Sequence, residues 1–135
     1  MLRITLRDGE KAIVNGAVLR AVGRTQIAVE NMVSILRGRE VMRPEEATTP
    51  ARQLYFATML AYIDPDGRDA HHDAVVQLLS LLIAGLGTAA ARELCIRFAN
   101  DLAQGEYYKA LAAARELIAM EDAAAAADTA TTQAA

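Results

Sequence analysis

The chain has few of the residues that build disulfide or metal-linked folds. Its 135 residues include one cysteine, Cys95, and two histidines, the adjacent pair His71 and His72. A single cysteine excludes an internal disulfide and any zinc site that needs two or four cysteines, and it fits a reducing compartment. Neighbouring helical histidines point about 100° apart, so they do not converge on a metal as an i, i+4 pair would. We therefore predict no metal and no cofactor.

Long apolar runs are also absent. The most apolar stretch, residues 74–86, is too short to cross a bilayer and contains Gln77 and Ser80. The first residues alternate between polar and apolar side chains, so they lack the apolar segment of a signal peptide. These features predict a soluble cytoplasmic protein with no membrane partner.

The sequence has no recognisable catalytic arrangement. No serine lies in a nucleophile-elbow context, and Cys95 lies on an apolar helix stripe without a histidine at a fixed spacing. The Gly85-Leu86-Gly87 step has no strand before it, so it indicates a helix break rather than a dinucleotide loop. We predict that the protein is not an enzyme.

The first forty residues have the two-residue period of half-buried strands. Residues 2–7 alternate strictly, and Asp8-Gly9 and Asn15-Gly16 are dipeptides suited to tight hairpin turns. Further strand-like runs cover residues 11–14, 18–22, 26–30 and 33–36. This part of the chain is therefore predicted to form a small antiparallel meander of about five short strands.

The pattern becomes helical after Pro44. Thr49 followed by Pro50 is typical of a helix N-terminus, and residues 54–63 are nearly all apolar, which predicts a helix buried on most faces. Three more helices are expected over residues 69–84, from Thr88 to about 103, and from Glu106 to about Glu121. The predicted fold is therefore α+β, with a β-rich segment at 1–43, a four-helix segment at 44–122, and a frayed or disordered Ala/Thr tail at 123–135.

Charge is distributed unevenly between the two segments. Residues 1–43 carry eight basic and four acidic side chains, about +4, whereas the remainder carries six basic and thirteen acidic ones, −7. A basic segment favours a polyanionic partner such as RNA, although a solvated strand face also accounts for it. The candidate RNA-binding residues are Arg3, Arg7, Lys11, Arg20, Arg24, Arg37, Arg39 and Arg43.

Aromatic residues are missing from the basic segment. No Phe, Trp or Tyr precedes Tyr55, so bases cannot stack on aromatic rings of the sheet as they do in RRM domains. Recognition would use arginine planes and phosphate contacts, with Arg3 and Arg7 as first candidates because they share a strand face. In the helical segment, core packing and partner binding both explain the Tyr107-Tyr108 pair, and Arg52 either binds a partner or covers the first helical turn. The candidate partner-binding residues are Arg52, Tyr55, Tyr107 and Tyr108.

Three stretches occur in a characteristic order: Gly9-Glu10-Lys11 with residues 15–18, residues 44–52 with Tyr55-Phe56, and residues 107–111 with 114–115 and 117–118. In this order and spacing they resemble the FlbT family of flagellar biosynthesis repressors. The resemblance covers residues 1–122. It implies a post-transcriptional regulator that associates with the 5′ untranslated region of flagellin mRNA and promotes its decay, although some relatives act positively. The first strand also resembles, faintly, the carbon-storage regulators, and the helices resemble flagellin export chaperones.

These observations lead to two functional expectations. The first is an mRNA-binding repressor of flagellin synthesis whose partner is the flagellin mRNA leader. The alternative is an export chaperone or adaptor that holds flagellin, or another flagellar regulatory protein, on its helices. A homo-oligomer is also expected, because a short sheet with open edges often pairs with a copy of itself.

Overall fold

The computed structural model describes residues 2–85 and 87–134 and has the predicted α+β architecture. The strands are β1 (Leu2–Leu6), β2 (Lys11–Val14), β3 (Ala17–Arg20), β4 (Thr25–Val29) and β5 (Ile35–Arg37). Two short 3₁₀ turns, Gly38–Glu40 and Pro44–Glu46, lead into the helices α1 (Pro50–Ile63), α2 (Arg68–Ala84), α3 (Ala89–Ala103) and α4 (Tyr107–Ala134).

The strands form two small antiparallel sheets. β1 pairs with β4, and the other sheet has the order β3-β2-β5. The β2–β3 hairpin turns at Asn15 and Gly16, whose φ angles of 48° and 85° suit a tight two-residue turn, as the Asn-Gly dipeptide predicted. The pairing order differs from a simple meander, because only β2 and β3 pair with their neighbour in the chain. Local alternation determines which face a strand buries, but it does not determine which strand lies beside it.

A small apolar cluster joins the two sheets. It consists of Leu6 from β1, Ala12 from β2 and the adjoining Ala21, with Ile27 of β4 packed against them. The other face of β2 is covered by the helices, because Ile13 and Leu36 belong to the main core with Leu54 and Phe98. The sheet of β2 is therefore buried from both sides, which provides the cover that a lone small sheet needs.

Helix α1 is the centre of the helical segment and contacts both α2 and α4. The Thr49 hydroxyl accepts a hydrogen bond from the Arg52 N–H at 3.3 Å, and Pro50 is the first helical residue, as predicted. Eight of the fourteen α1 residues are buried, which confirms a helix buried on most faces. The buried Thr58 hydroxyl donates to the Leu54 carbonyl at 2.7 Å, so no polar group of this side chain is left unsatisfied.

Helix α4 is longer than expected. The sequence predicted an end near Glu121 followed by a disordered tail, whereas the helix continues to Ala134. Residues 123–127 are all alanine, the residue with the highest helix propensity, so the helix continues even though no large apolar side chain anchors it. Among the described helices, none is long and apolar enough to cross a membrane.

Candidate nucleic-acid interface

A polar cleft of about 910 Å³ lies where the β segment meets α4. The β segment contributes residues from the β1–β2 turn and from the end of β5, and α4 contributes Tyr108 and Arg115. We call this site the arginine cleft. Its lining residues are Arg7, Asp8, Gly9, Glu10, Arg37, Gly38, Arg39, Glu40, Tyr108 and Arg115. The cleft therefore combines three of the predicted RNA-binding arginines with a tyrosine from the helical segment.

Glu40 joins the strands to the helices at this cleft. One carboxylate oxygen accepts a hydrogen bond from the Arg37 N–H at 3.2 Å, and the other accepts one from the Tyr108 hydroxyl. The main-chain carbonyl of Glu40 accepts a hydrogen bond from the Tyr55 hydroxyl at 2.7 Å. One residue thus fixes the end of β5 to both α1 and α4.

Glu10 shapes the opposite wall. Its carboxylate accepts a hydrogen bond from the Arg7 N–H at 3.0 Å and lies 3.9 Å from the Arg37 guanidinium. Gly38 adopts φ = 54°, and a Cβ at that position would lie 3.2 Å from the Glu10 carboxylate. The glycine therefore satisfies both the left-handed backbone and the close approach of Glu10.

Three guanidinium groups in the cleft are available for a ligand. Arg7, Arg39 and Arg115 are exposed, and their side chains form no hydrogen bond or ion pair with any residue that the structure describes. Arg37 is partly engaged, because it also donates to the Thr5 carbonyl at 3.2 Å. The carboxylates of Asp8, Glu10 and Glu40 already accept protein donors, so the charged groups of the cleft that have no partner among the described residues are these three guanidinium groups. Unengaged guanidinium groups are suited to bind phosphate oxygens.

Tyr108 supplies the aromatic surface that the strands lack. Tyr108 is 45% exposed. The centroid of its ring lies 5.6 Å from the centroid of the Tyr62 ring, and the two ring planes are 46° apart. The hydrogen bond to the Glu40 carboxylate raises the pKa of the Tyr108 hydroxyl, because ionisation would place two negative charges side by side. The ring is therefore held in one orientation with part of its surface open to a base.

The other predicted RNA-binding residues lie outside the arginine cleft, although all of them are exposed. Arg43 forms a 3.0 Å ion pair with Glu46, and Lys11 lies directly across from Arg20 on the β2–β3 hairpin. Arg24 lines a small polar pocket of about 250 Å³ with Thr5 and Gln26, and Arg3 lies on β1 across from Ala28. The structure thus does not bring Arg3 and Arg7, the first candidates from the sequence, into one site.

The predicted partner-binding residues separate in the same way. Arg52 binds Asp122 through two hydrogen bonds of 2.9 Å, which ties α1 to α4. Tyr107 forms a 2.9 Å hydrogen bond with His72, and the Arg68 guanidinium lies 5.6 Å from its ring centre. Tyr55 is buried in the main core, and its hydroxyl donates to the Glu40 main-chain carbonyl, so its side chain leaves almost no surface for a partner. Of the four, Tyr108 alone lines the cleft.

Burial raises the pKa of Tyr55 to about 12. In the unfolded chain a tyrosine titrates near 10, so between pH 10 and 12 the unfolded state loses this proton while the folded state keeps it. Stability should therefore fall as the pH rises through that window. Tyr55→Phe removes the hydrogen bond to the Glu40 carbonyl, so its free energy of unfolding at pH 7 should be about 1 kcal/mol lower than that of the wild type. Because the variant has no hydroxyl to ionise at this position, its stability should fall less steeply above pH 10. Urea denaturation of both proteins at pH 7, 10 and 11 measures this, and parallel declines would contradict it.

Sequence reasoning missed Arg115 and Glu40. Arg115 follows Tyr108 by seven residues, which is two helical turns, so both side chains lie on one face of α4. The seven-residue spacing can be read from the sequence, but the packing of the β segment against this face of α4 cannot. Glu40 gave no local signal, because its role depends on contacts with residues 15 and 68 positions away.

Comparison with known proteins gives a consistent result over most of the chain. The family model described as Flagellar protein FlbT matches residues 2–125. A protein of Caulobacter vibrioides strain CB 15, named flagellum biosynthesis repressor protein FlbT, is 34% identical over 122 residues, covering 90% of this chain and 86% of its own length. Proteins of Caulobacter sp. strain K31 and Agrobacterium fabrum, both named probable flagellum biosynthesis repressor protein FlbT, are 34% and 35% identical over 90% of this chain and cover 93% and 81% of their own lengths. No solved structure matches the chain.

Proposed function

The chain belongs to the FlbT family of flagellar proteins, and we propose that it represses flagellum biogenesis by binding the 5′ untranslated region of flagellin mRNA in the arginine cleft. The observation that carries this proposal is that three unengaged guanidinium groups line the same cleft as one partly exposed tyrosine ring. Phosphate contacts and base stacking are both common in proteins that bind single-stranded nucleic acid.

The cleft favours a single strand over a duplex. Bases of a duplex are stacked on one another, so only an unpaired base can place its face against the Tyr108 ring. Arg7, Arg39 and Arg115 would then contact the phosphates on either side of that base. Glu10 and Glu40 serve as the framework that holds the arginine-bearing turns in place.

Repression in this proposal needs no catalytic group. A protein that occupies the leader excludes the ribosome, and an untranslated message is open to the nucleases of the cell. The chain's own contribution is affinity and position, which is consistent with a cleft that holds arginines and a tyrosine rather than a nucleophile paired with a base.

Substitution of Tyr108 tests the proposal. Tyr108→Ala should lower the affinity for a labelled flagellin leader RNA by about tenfold, because base–aromatic stacking contributes about 1–3 kcal/mol per base. Tyr108→Phe keeps the ring and loses the hydrogen bond to Glu40, so it should bind nearly as well as the wild type. Fluorescence anisotropy with the leader and with a scrambled RNA of equal length measures both effects. Equal affinities for all three proteins would show that the ring does not contact RNA.

A second candidate function, a flagellin chaperone or adaptor, is favoured by the apolar surface of the helices. Leu81 and Ile83 of α2 are 72% and 46% exposed, and an apolar groove of about 560 Å³ is lined by Leu82, Leu117, Met120 and several alanines and glycines. Exposed apolar patches of this kind often bind protein. Pull-downs from lysate with and without RNase separate the two functions. RNase-resistant capture of flagellin, without leader binding, would favour the chaperone.

A further inference from the structure

Strand β3 forms one edge of its sheet and is exposed along its whole length. All four residues, Ala17 to Arg20, are exposed, and β3 pairs only with β2 among the described strands. Natural proteins usually protect such an edge with charges, a proline or a bulge. Here Arg20 is the only charged residue of the strand, and no proline occurs before Pro44.

The unpaired main-chain groups of this edge can be identified. Ala21 donates to the Glu10 carbonyl and accepts from the Gly9 N–H, so its main chain faces the residues that lead into β2. Residues of an antiparallel strand alternate in this respect, so Leu19 also faces β2, whereas the N–H and C=O groups of Val18 and Arg20 point away from it. Within residues 2–85 and 87–134, these groups of Val18 and Arg20 have no hydrogen-bond partner.

On each face of the sheet, a buried apolar side chain of β2 lies beside an exposed apolar side chain of β3. Val18 lies across from Ile13, which is 6% exposed, and Leu19 lies across from Ala12, which is completely buried. Val18 and Leu19 themselves are 64% and 44% exposed. Both apolar layers therefore end at β3 without a covering strand. An added strand would satisfy the main-chain groups and cover both rows together.

We propose that β3 pairs with β3 of a second copy of this chain, antiparallel and with Leu19 opposite Leu19 of the second copy. A twofold axis perpendicular to the sheet relates the copies, so a residue must lie opposite its own counterpart. With Leu19 at the axis, Val18 exchanges main-chain hydrogen bonds with Arg20 of the second copy, and all the outward groups are satisfied. With Val18 at the axis, Arg20 would have to pair with Gly16, whose φ of 85° is not that of a strand.

The charges of β3 are compatible with a second copy, and the small size of the strand predicts a weak dimer. In the proposed register each Arg20 lies across from a valine, so the arginines of the two copies do not face each other directly, and every other directly opposed pair is apolar or glycine. A four-residue strand covers less than the roughly 800 Å² per partner of a stable interface. The dimer should therefore be weak and depend on protein concentration, and its sheet would have the order β5-β2-β3-β3-β2-β5.

Sedimentation of the full chain without RNA tests this inference. The wild type should shift from monomer to dimer as its concentration rises. Val18→Pro should remain monomeric and folded, because the Val18 N–H does not bond to β2 and proline is tolerated at such an edge. Val18→Thr, which keeps the N–H and the branched Cβ, should dimerise as the wild type does. A wild type that stays monomeric at the highest concentration would overturn the proposal.

Cysteine crosslinking tests the register even if Val18→Pro does not fold. In the proposed register the two Leu19 residues form a non-hydrogen-bonded pair. The Cα atoms of such a pair lie about 4.5 Å apart in an antiparallel sheet, a distance that suits a disulfide. Leu19→Cys should thus form a covalent dimer under mild oxidation, whereas native Cys95 is buried and should not react. Val22→Cys is the control, because Val22 is more exposed, at 85%, but does not face its own counterpart. Equal crosslinking rates at positions 19 and 22 would overturn the proposed pairing.

Discussion

Replacement of Arg39 and Arg115 together by glutamine is expected to lower the affinity for flagellin leader RNA by tenfold or more. Both guanidinium groups lie in the arginine cleft without an ion-pair partner among the described residues, so the change removes two of the proposed phosphate contacts without releasing a buried carboxylate. Each phosphate contact on a single strand contributes about 0.7 to the slope of log K against log salt. The slope should therefore become shallower by about 1.4, measured by anisotropy titrations between 50 and 300 mM salt.

A second double variant controls for net charge. Arg43→Gln with Arg97→Gln removes the same charge from arginines that are exposed, lie outside the cleft and form ion pairs with Glu46 and Glu116. This control should bind the leader within about twofold of the wild type, because surface ion pairs contribute little to folding and these arginines do not face the cleft. Equal losses in the two double variants would mean that RNA responds to overall charge rather than to this cleft.

The largest expected effect on stability is that of Phe98→Ala. Phe98 is completely buried in the main core, which it shares with Leu54, Cys95 and Leu111. Truncation of a buried phenylalanine typically costs about 3–5 kcal/mol, because apolar contacts are lost and a cavity remains. Domains of this size are stable by only about 5–15 kcal/mol, so the variant should unfold at a much lower urea concentration.

The chain's second phenylalanine provides a matched control. Phe56 is only partly buried and packs at the margin of the same core. Phe56→Ala should therefore cost clearly less than Phe98→Ala in the same urea titration, since less apolar surface is removed from a buried site. If both variants lost the same stability, Phe98 would not be at the centre of the core.

Local features of the fold were predictable because their causes lie close together in the sequence. Asn15-Gly16 specified the hairpin through its positive φ angles, and Thr49-Pro50 specified the start of α1 through capping. The pairing of β1 with β4 was not predictable in this way, because it depends on contacts across some twenty residues. The continuation of α4 to Ala134 is accounted for by the high helix propensity of alanine, which outweighs the absence of large apolar residues in that segment.

The candidate site was only partly predictable for a related reason. The charge count identified the basic segment, and three of its arginines, Arg7, Arg37 and Arg39, line the cleft. The same count could not distinguish them from Arg43, because it does not show that the Arg43 guanidinium is already paired with the Glu46 carboxylate. Tyr108 is held at the cleft by its hydrogen bond to Glu40. These two residues are 68 positions apart, so neither composition nor spacing predicts their contact.

The most direct test of the central claim is photocrosslinking of the intact chain in cells, followed by identification of the attached RNA and of the modified peptides. If the arginine cleft binds the flagellin leader, leader sequences should be recovered, and the modified peptides should contain Tyr108 or residues 37–40. Recovery of flagellin protein on α2, with no leader RNA attached, would contradict the claim and place the function on the helices.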